Sequence, residues 1–312
     1  MMNNKVSVIG AGFVGTMTAQ RIVEKDLADV VLVDIVEGVP QGKALDIAQS
    51  APIEGFTAKV VGTNDFSLIR DSRVVVVTAG FPRAPGMTRE ELALKNGGVV
   101  KSVAEKIRRF APGAIILMVT NPLDLMAHLA FKVSGFPAGR VIGMGGVLDS
   151  ARYRYLIAQE LDVPTGDVQA LVLGSHGDAM IPLERYAAVG GIPVADLMKK
   201  DKLDRIIERT RNSGAEIVGL LKTGSAFHAP SAAVVYMLEA ILLGSPRIMP
   251  ASVYLDGQYG IRDVFLGVPV RLGPSGVEEI LTVDLSEGEL SALKRSAEEA
   301  KKAFKNLTSY ER

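Results

Sequence analysis

The chain has 312 residues, of which 35 are basic, 35 are acidic and none is cysteine. This length corresponds to about two domains, and 48% hydrophobic residues suffice for a large core. A formal net charge of zero excludes a general attraction to nucleic acids or anionic membranes. The absence of cysteine excludes disulfides, thiolate metal ligands and thiol nucleophiles. It also suits the reducing cytoplasm, where we expect the protein.

The apolar stretches are short. Segments such as 74–77 and 114–119 fall far below the ~20 residues that cross a bilayer. The first apolar run follows a single lysine and is interrupted at once by Gly10 and Gly12, unlike a secretory signal peptide. We therefore expect a soluble protein without a membrane segment and without export.

Apolar runs alternate with helical spacing through the first half of the chain. We predict strands at 5–9, 30–33, 60–61, 74–77, 115–119 and 141–142, and helices at 13–25, 41–51, 89–110 and 123–133. Uninterrupted apolar strands are typical of a parallel sheet that is covered on both faces. With right-handed crossovers, this order predicts a doubly wound α/β domain over residues 1–145.

In the second half of the chain, the predicted helices and strands follow a different order. Helices are predicted at 148–160, 196–221 and 230–243, with short strands between them, and an antiparallel meander lies within 252–284. A final helix over 286–305 begins with Ser286 and, three residues later, Glu289, the pattern of a capping box. We expect an α+β domain over 146–312 that brings side chains to the carboxyl edge of the first sheet.

A glycine-rich turn joins the first strand to the first helix, formed by Gly10, Ala11, Gly12, Phe13, Val14 and Gly15. In this position, glycines allow backbone N–H groups to approach a pyrophosphate. Asp34 ends the next strand, where its carboxylate can accept both ribose hydroxyls and repel a 2′-phosphate. Together they favour NAD over NADP. A methyltransferase for an adenosine-type cofactor shares most of this pattern, and so does a plain turn followed by a strand-end aspartate.

Residues 80–89 form a loop after the fourth strand that carries Arg83, Arg89, two prolines and two glycines. Guanidinium groups bind carboxylates in planar pairs, and a closing loop that excludes water strengthens such pairs. The pattern therefore favours an anion-binding lid. The alternative is a mobile loop with two solvated arginines.

Three further polar residues are candidates for a catalytic or substrate-binding site. Asn121 precedes a proline at the end of the fifth strand, which is also an ordinary turn signal. Asp149 and Arg152 are three residues apart on a predicted helix and share a face. They can present a carboxylate and a guanidinium to one pocket, or form a surface ion pair.

The chain has three histidines. His176 lies among small residues in Gly-Ser-His-Gly-Asp, which leaves its imidazole accessible, so it is the best candidate general base. His128 lies within a helical pattern and is expected to be structural, and His228 follows Phe227 without an evident local partner. Neither is assigned a catalytic role.

Five segments, taken in chain order, resemble a malate dehydrogenase of the lactate-dehydrogenase-like branch. They are the glycine turn at 10–15, the arginine loop at 80–89, Asn121-Pro122, residues 143–152 and residues 174–178. The similarity covers essentially the whole chain. It implies a Rossmann domain followed by a catalytic domain, and an NAD-dependent oxidoreductase of the tricarboxylic acid cycle that interconverts (S)-malate and oxaloacetate without a metal.

The resemblance also implies roles for residues. His176 is the expected proton acceptor and donor, with Asp149 holding its tautomer. Arg152 is expected to bind the carboxylate next to the reacting carbon, Arg89 to polarise the C2 oxygen, and Arg83 to bind the distal carboxylate.

The implied cofactor site consists of the turn at 10–15 and Asp34 together with Asn96, Val119 and Asn121. Asn121 is also an expected hydrogen-bond donor to the substrate.

Arg83 decides the expected substrate, because lactate dehydrogenases typically have glutamine there. An enclosed guanidinium without a partner anion is costly, so a dicarboxylate is favoured. Two residues depart from the family pattern: Ala84, where lysine is common, and His228, where tyrosine is common. The remaining alternatives are a lactate or other 2-hydroxyacid dehydrogenase and a non-catalytic dinucleotide sensor. Family members are usually homodimers or homotetramers, and we expect the same here.

Overall fold

The computed structural model describes residues 4–82 and 86–309, except for the side chain of Arg89. Six parallel strands form the first part of its sheet, in the order β3-β2-β1-β4-β5-β6. This order confirms the predicted doubly wound fold. The strands are β1 (Lys5–Ile9), β2 (Asp29–Val33), β3 (Val60–Thr63), β4 (Val74–Val77), β5 (Ile115–Met118) and β6 (Val141–Gly143).

Four helices connect these strands. They are α1 (Phe13–Glu24), α2 (Val39–Glu54), α3 (Arg89–Phe110) and α4 (Leu123–Ser134). Strand β4 shows why the sheet is covered on both sides, because its four valines are fully buried. Val74 and Val76 belong to one apolar cluster, whereas Val75 and Val77 belong to another. Alternate side chains point to opposite faces of a strand, so each face of the sheet has its own core.

The second half adds α5 (Gly145–Leu161), β7 (Val168–Gly174), β8 (Met180–Val189), β9 (Ile192–Pro193), α6 (Val194–Leu197), α7 (Lys200–Leu221), α8 (His228–Leu242), β10 (Arg247–Asp256), β11 (Arg262–Gly273), β12 (Gly276–Ile280) and α9 (Glu287–Ser309). Strands β10, β11 and β12 pair antiparallel, as the meander prediction requires. Several bounds differ from the predictions, and the helix predicted at 196–221 is divided into α6 and α7 by residues 198 and 199. Helix α5 begins three residues before 148, and β7 and β8 have seven and ten residues rather than being short.

The two halves share one sheet, because β10 pairs with β6 at Ser252 and Gly143. A Cβ atom on Gly143 would lie 2.8 Å from the Cβ atom of Ser252, so the close approach needs glycine there. Helix α9 begins with the predicted capping box, in which the Ser286 N–H donates to the Glu289 carboxylate at 2.7 Å. Over residues 4–82 and 86–309, every helix is too short or too polar to span a bilayer.

Candidate active site

The glycine turn follows β1 at the carboxyl edge of the parallel strands. Gly10 adopts φ 104°, and its N–H donates to the carbonyl of Val33 at 2.7 Å. A Cβ atom on Gly15 would lie 1.8 Å from the Gly10 carbonyl oxygen, so α1 can pack this closely only with glycine. Gly12 differs, because it has an ordinary φ of −71° and no atom lies within 4 Å of where its Cβ would be. The protein itself therefore does not require glycine at position 12.

The peptide groups of Ala11 are held from two sides. The carboxylate of Asp34 accepts the Ala11 N–H at 2.6 Å, and the ammonium of Lys43 donates to the Ala11 carbonyl at 2.6 Å. Asp34 lies at the end of β2 as predicted, and its other oxygen accepts the Val36 N–H at 3.0 Å. Lys43 was missed by the sequence reasoning, because it lies within α2, 32 residues from its partner.

These features fit a dinucleotide. The open space at Gly12 lets a phosphate approach the backbone, and α1 begins at Phe13, so its N-terminal N–H groups face the same side. Asp34 has the carboxylate that the adenosine ribose requires. Val14 is half-buried against the core beneath the turn. Phe13 is 68% exposed and stacks on Phe227 at 5.3 Å between ring centroids.

Asn96 lies on α3 and is fully buried. Its amide donates to the carbonyls of Phe81 at 3.2 Å and Asn121 at 2.6 Å, and its oxygen accepts the Phe81 N–H at 2.8 Å. The side chain therefore ties the start of the arginine loop to the end of β5. Val119 is buried at the same edge, whereas Asn121 is exposed.

His176 pairs with Asp149, whose carboxylate is buried. Nδ1 of His176 lies 2.8 Å from Oδ2 of Asp149, and the Asp149 side chain is 2% exposed. Because a carboxylate only accepts hydrogen bonds, Nδ1 is the donor, and Nε2 is left to exchange a proton. Burial by itself lowers the pKa of His176, but the charge and hydrogen bond of Asp149 outweigh burial, so the net pKa is raised.

Two glycines bring α5 close to this pair. A Cβ atom on Gly145 would lie 2.7 Å from a methyl carbon of Leu123 and 3.1 Å from the His176 Cβ atom. On Gly146, it would lie 2.8 Å from Pro250. Larger residues at these positions would push α5 outward and separate Asp149 from the imidazole.

Arg152 lies one turn further along α5 and is also largely buried. Its Nη1 atom is 3.8 Å from Oδ1 of Asp149, and the side chain is 14% exposed. Burial lowers the pKa of Arg152, against the charge of Asp149. Within the described residues, Nε of Arg152 and Oδ1 of Asp149 have no hydrogen-bond partner. The guanidinium thus keeps donor capacity for an anion, and its contact with Asp149 is largely buried rather than a surface ion pair.

A second carboxylate, which the sequence reasoning missed, contacts the same histidine. Asp124 accepts the backbone N–H of His176 at 2.9 Å and the Ser252 hydroxyl at 2.6 Å. It lies in the first turn of α4, three residues after Asn121. The only local signal is an acid near a helix N-terminus, which is common in surface helices.

Arg83 and Ala84 lie outside the described residues, and so does the side chain of Arg89, whose backbone begins α3. Of the other histidines, His128 is buried within α4, as expected of a structural residue. The exposed ring of His228 is tilted against that of Phe227, with 4.2 Å between the ring centroids.

The chain matches the family model of the lactate/malate dehydrogenase NAD-binding domain over residues 4–143. It matches that of the lactate/malate dehydrogenase alpha/beta C-terminal domain over 146–311. A malate dehydrogenase of Roseiflexus sp. (strain RS-1) is 53% identical over 297 residues, which cover 95% of this chain and 96% of the relative.

Solved structures from Cryptosporidium parvum give the same result. Its malate dehydrogenase has a TM-score of 0.97 and 44% identity, covering 99% of this chain and 100% of that one. Its lactate dehydrogenase, complexed with lactic acid and NAD, has a TM-score of 0.96 and 42% identity, covering 99% of both chains. The chain therefore belongs to the lactate/malate dehydrogenase family.

Proposed function

We propose that the chain is an NAD-dependent (S)-malate dehydrogenase that interconverts malate and oxaloacetate. One observation carries the proposal: the buried carboxylate of Asp149 lies between the imidazole of His176 and the guanidinium of Arg152. A proton-transfer group and an anion-binding group are thereby fixed together on the same carboxylate. Oxidation of a 2-hydroxy acid requires both a group that accepts the hydroxyl proton and a group that binds the carboxylate.

The turn at 10–15, Asp34 and the β5 edge at Val119 and Asn121 would hold the cofactor. NAD, when bound, supplies the acceptor or donor of the hydride at C2 of the substrate. Asn96 acts on this site through the positions of Phe81 and Asn121, because its amide bonds to their backbones.

His176 accepts and donates the proton of the C2 hydroxyl. In malate oxidation, neutral Nε2 takes the proton of the C2 hydroxyl while the C2 hydrogen leaves as hydride. In oxaloacetate reduction, the imidazolium returns that proton to the C2 oxygen. Asp149 stabilises the imidazolium and fixes the ring. Arg152 binds the carboxylate next to C2, which fixes the position of the reacting carbon relative to His176.

The choice of substrate does not follow from the fold, since both a malate and a lactate dehydrogenase share it at TM-scores of 0.97 and 0.96. The malate dehydrogenase names of the relatives and Arg83 support a dicarboxylate. Arg83 is proposed to bind the distal carboxylate and Arg89 to polarise the C2 oxygen as the loop closes, with Asn121 as a further donor.

The test is NADH oxidation at 340 nm with oxaloacetate and then with pyruvate. We expect strong preference for oxaloacetate, and Arg83→Gln is expected to reduce the oxaloacetate-to-pyruvate ratio of kcat/KM by about 10²-fold or more. Preference of the wild type for pyruvate would indicate a lactate or other 2-hydroxyacid dehydrogenase. NADH binding without turnover of either substrate would indicate a non-catalytic sensor.

We further propose a cytoplasmic homodimer or homotetramer. Exposed apolar side chains support contact surfaces on three helices: Leu45 and Ile53 on α2, Tyr155 on α5 and Tyr236 on α8. Sedimentation equilibrium of the purified chain gives the number of subunits, and a monomer at micromolar concentration would exclude the assembly.

A further inference from the structure

Asp124 is a buried carboxylate whose two oxygens both accept hydrogen bonds. Oδ2 accepts the backbone N–H of His176 at 2.9 Å, and Oδ1 accepts the hydroxyl of Ser252 at 2.6 Å. The residue is 7% exposed, and Ser252 is 1% exposed. Burying an ionisable group is costly, so a buried carboxylate in contact with the candidate general base calls for a functional explanation.

The two carboxylates hold different parts of the same histidine. Asp149 on α5 bonds to the imidazole ring, whereas Asp124 on α4 bonds to the main chain of His176. The histidine follows β7, and Ser252 lies on β10, so Asp124 joins three elements at this point. Rotation of the His176 peptide would break the bond to Asp124, and the ring would then leave its position beside Asp149.

We propose that Asp124 is a positioning residue of the reaction, which holds the main chain of His176 and adds negative charge that stabilises its imidazolium form. The inference rests on the proposed function, because it concerns the proton that His176 exchanges. It assigns Asp124 no contact with the substrate.

Among the residues that the structure describes, the charged groups that act on His176 come from two helices. Asp149 and Arg152 lie on α5, and Asp124 lies on α4. Burial lowers the pKa of His176, Asp149 raises it most, Asp124 raises it further, and Arg152 opposes both carboxylates. Burial raises the pKa of Asp124 itself, while its hydrogen bonds from Ser252 and His176 act in the opposite direction.

Loss of this charge has opposite effects on the two directions of the reaction. Neutral asparagine at position 124 can accept the His176 N–H with its amide oxygen and donate its N–H to the Ser252 hydroxyl, which then reverses its role from donor to acceptor. It no longer stabilises the imidazolium, so the pKa of His176 falls. Oxaloacetate reduction needs the imidazolium, and malate oxidation needs the neutral ring. At a pH near the pKa, reduction is therefore weakened relative to oxidation. Damage to the pocket would instead slow both directions.

The experiment compares pH profiles of kcat/KM for oxaloacetate and malate in the wild type and Asp124→Asn. We expect the His176-dependent limb of both profiles to move to lower pH by about 0.5 to 1 unit. Ser252→Ala is the matched control, because it removes the other hydrogen bond and keeps the carboxylate; its limbs should stay in place. Limbs that do not move in Asp124→Asn, or that move equally in both variants, would overturn the proposal.

A direct titration separates this proposal from the proposed function. The chain has three histidines, so the His176 ring signal in an NMR titration can be assigned by its loss in His176→Asn. In Asp124→Asn without substrate, the titration midpoint of His176 should fall, whether or not the wild type turns over malate. If Asp124→Asn does not fold, Asp124→Ser, which also lacks the charge, takes its place. An unchanged midpoint would refute the role of Asp124, whereas an inactive wild type would refute only the function.

Discussion

Nδ1 of His176 lies 2.8 Å from Oδ2 of Asp149, although 27 residues separate them in the chain. Asp149 is on α5, and His176 follows β7 at the end of the strand that packs against that helix. The pair therefore depends on how closely α5 approaches the sheet, which Gly145 and Gly146 allow.

Replacing Asp149 by asparagine should impair catalysis without unfolding the protein. The amide lacks the charge that raises the pKa of His176, so less imidazolium is present at neutral pH. We expect kcat for oxaloacetate reduction to fall by about 10²-fold or more, with its high-pH limb moved to lower pH. Steady-state kinetics across pH 5 to 9 measure both effects. Asp162→Asn, at an exposed αL position that suits asparagine, is the control.

The glycines of the turn should separate into two classes. Alanine at position 15 forces a Cβ atom into the Gly10 carbonyl, so Gly15→Ala should lose on the order of 3 kcal/mol of unfolding free energy. Alanine at position 12 meets only open space, so Gly12→Ala should keep its stability but bind NADH about tenfold or more weakly. Urea unfolding measures the unfolding free energy of both variants, and NADH fluorescence titration measures their affinity for NADH. Normal NADH affinity in Gly12→Ala would show that the open space is not the phosphate site.

Lys43 should contribute to cofactor affinity through Ala11. Lys43→Met removes the hydrogen bond to the Ala11 carbonyl and keeps most of the aliphatic side chain. One such bond is worth about 0.5 to 1.5 kcal/mol, so the Kd for NADH should rise by about three- to tenfold. Lys59→Met, on the exposed surface before β3, is the control. Equal Kd values for the two variants would exclude this role.

His128 should make the protein sensitive to acid. Its ring stacks on Phe304 at 3.7 Å between centroids, and Nε2 has no hydrogen-bond partner among the described residues. Burial, aided by the charge of Lys132, lowers the pKa of His128 from 6.5 to about 4.

The sign of the effect follows from proton binding. Above pH 6.5, the ring is neutral in both states and no stability is lost. Between pH 6.5 and 4, the unfolded chain binds a proton that the folded protein excludes, so the unfolding free energy falls, by about 2 kcal/mol at pH 5. His128→Phe should remove this part of the pH dependence in urea unfolding, whereas exposed His228→Asn should retain it. Parallel curves for His128→Phe and the wild type would contradict the assignment.

Local patterns in the sequence determined much of this structure. The valines 74–77 predict a strand covered on both faces, the glycine turn predicts a strand-turn-helix junction, and Ser286 with Glu289 predicts the start of α9. These signals are local because backbone hydrogen bonding, side-chain alternation and helix caps each involve residues a few positions apart. His176 is predicted as the candidate base in the same way, from its small neighbours.

The tertiary structure alone decided how distant residues share the site. Asp124 contacts His176, 52 residues away in the chain, and Ser252, 128 residues away. Lys43 on α2 donates to the carbonyl of Ala11, and the side-chain amide of Asn96 donates to the carbonyl of Asn121. No local pattern encodes these contacts, because they depend on strand order and on how closely helices pack against the sheet. The residue types that a site needs can be predicted from sequence, whereas the partners that set their charge and position appear only when the chain is folded.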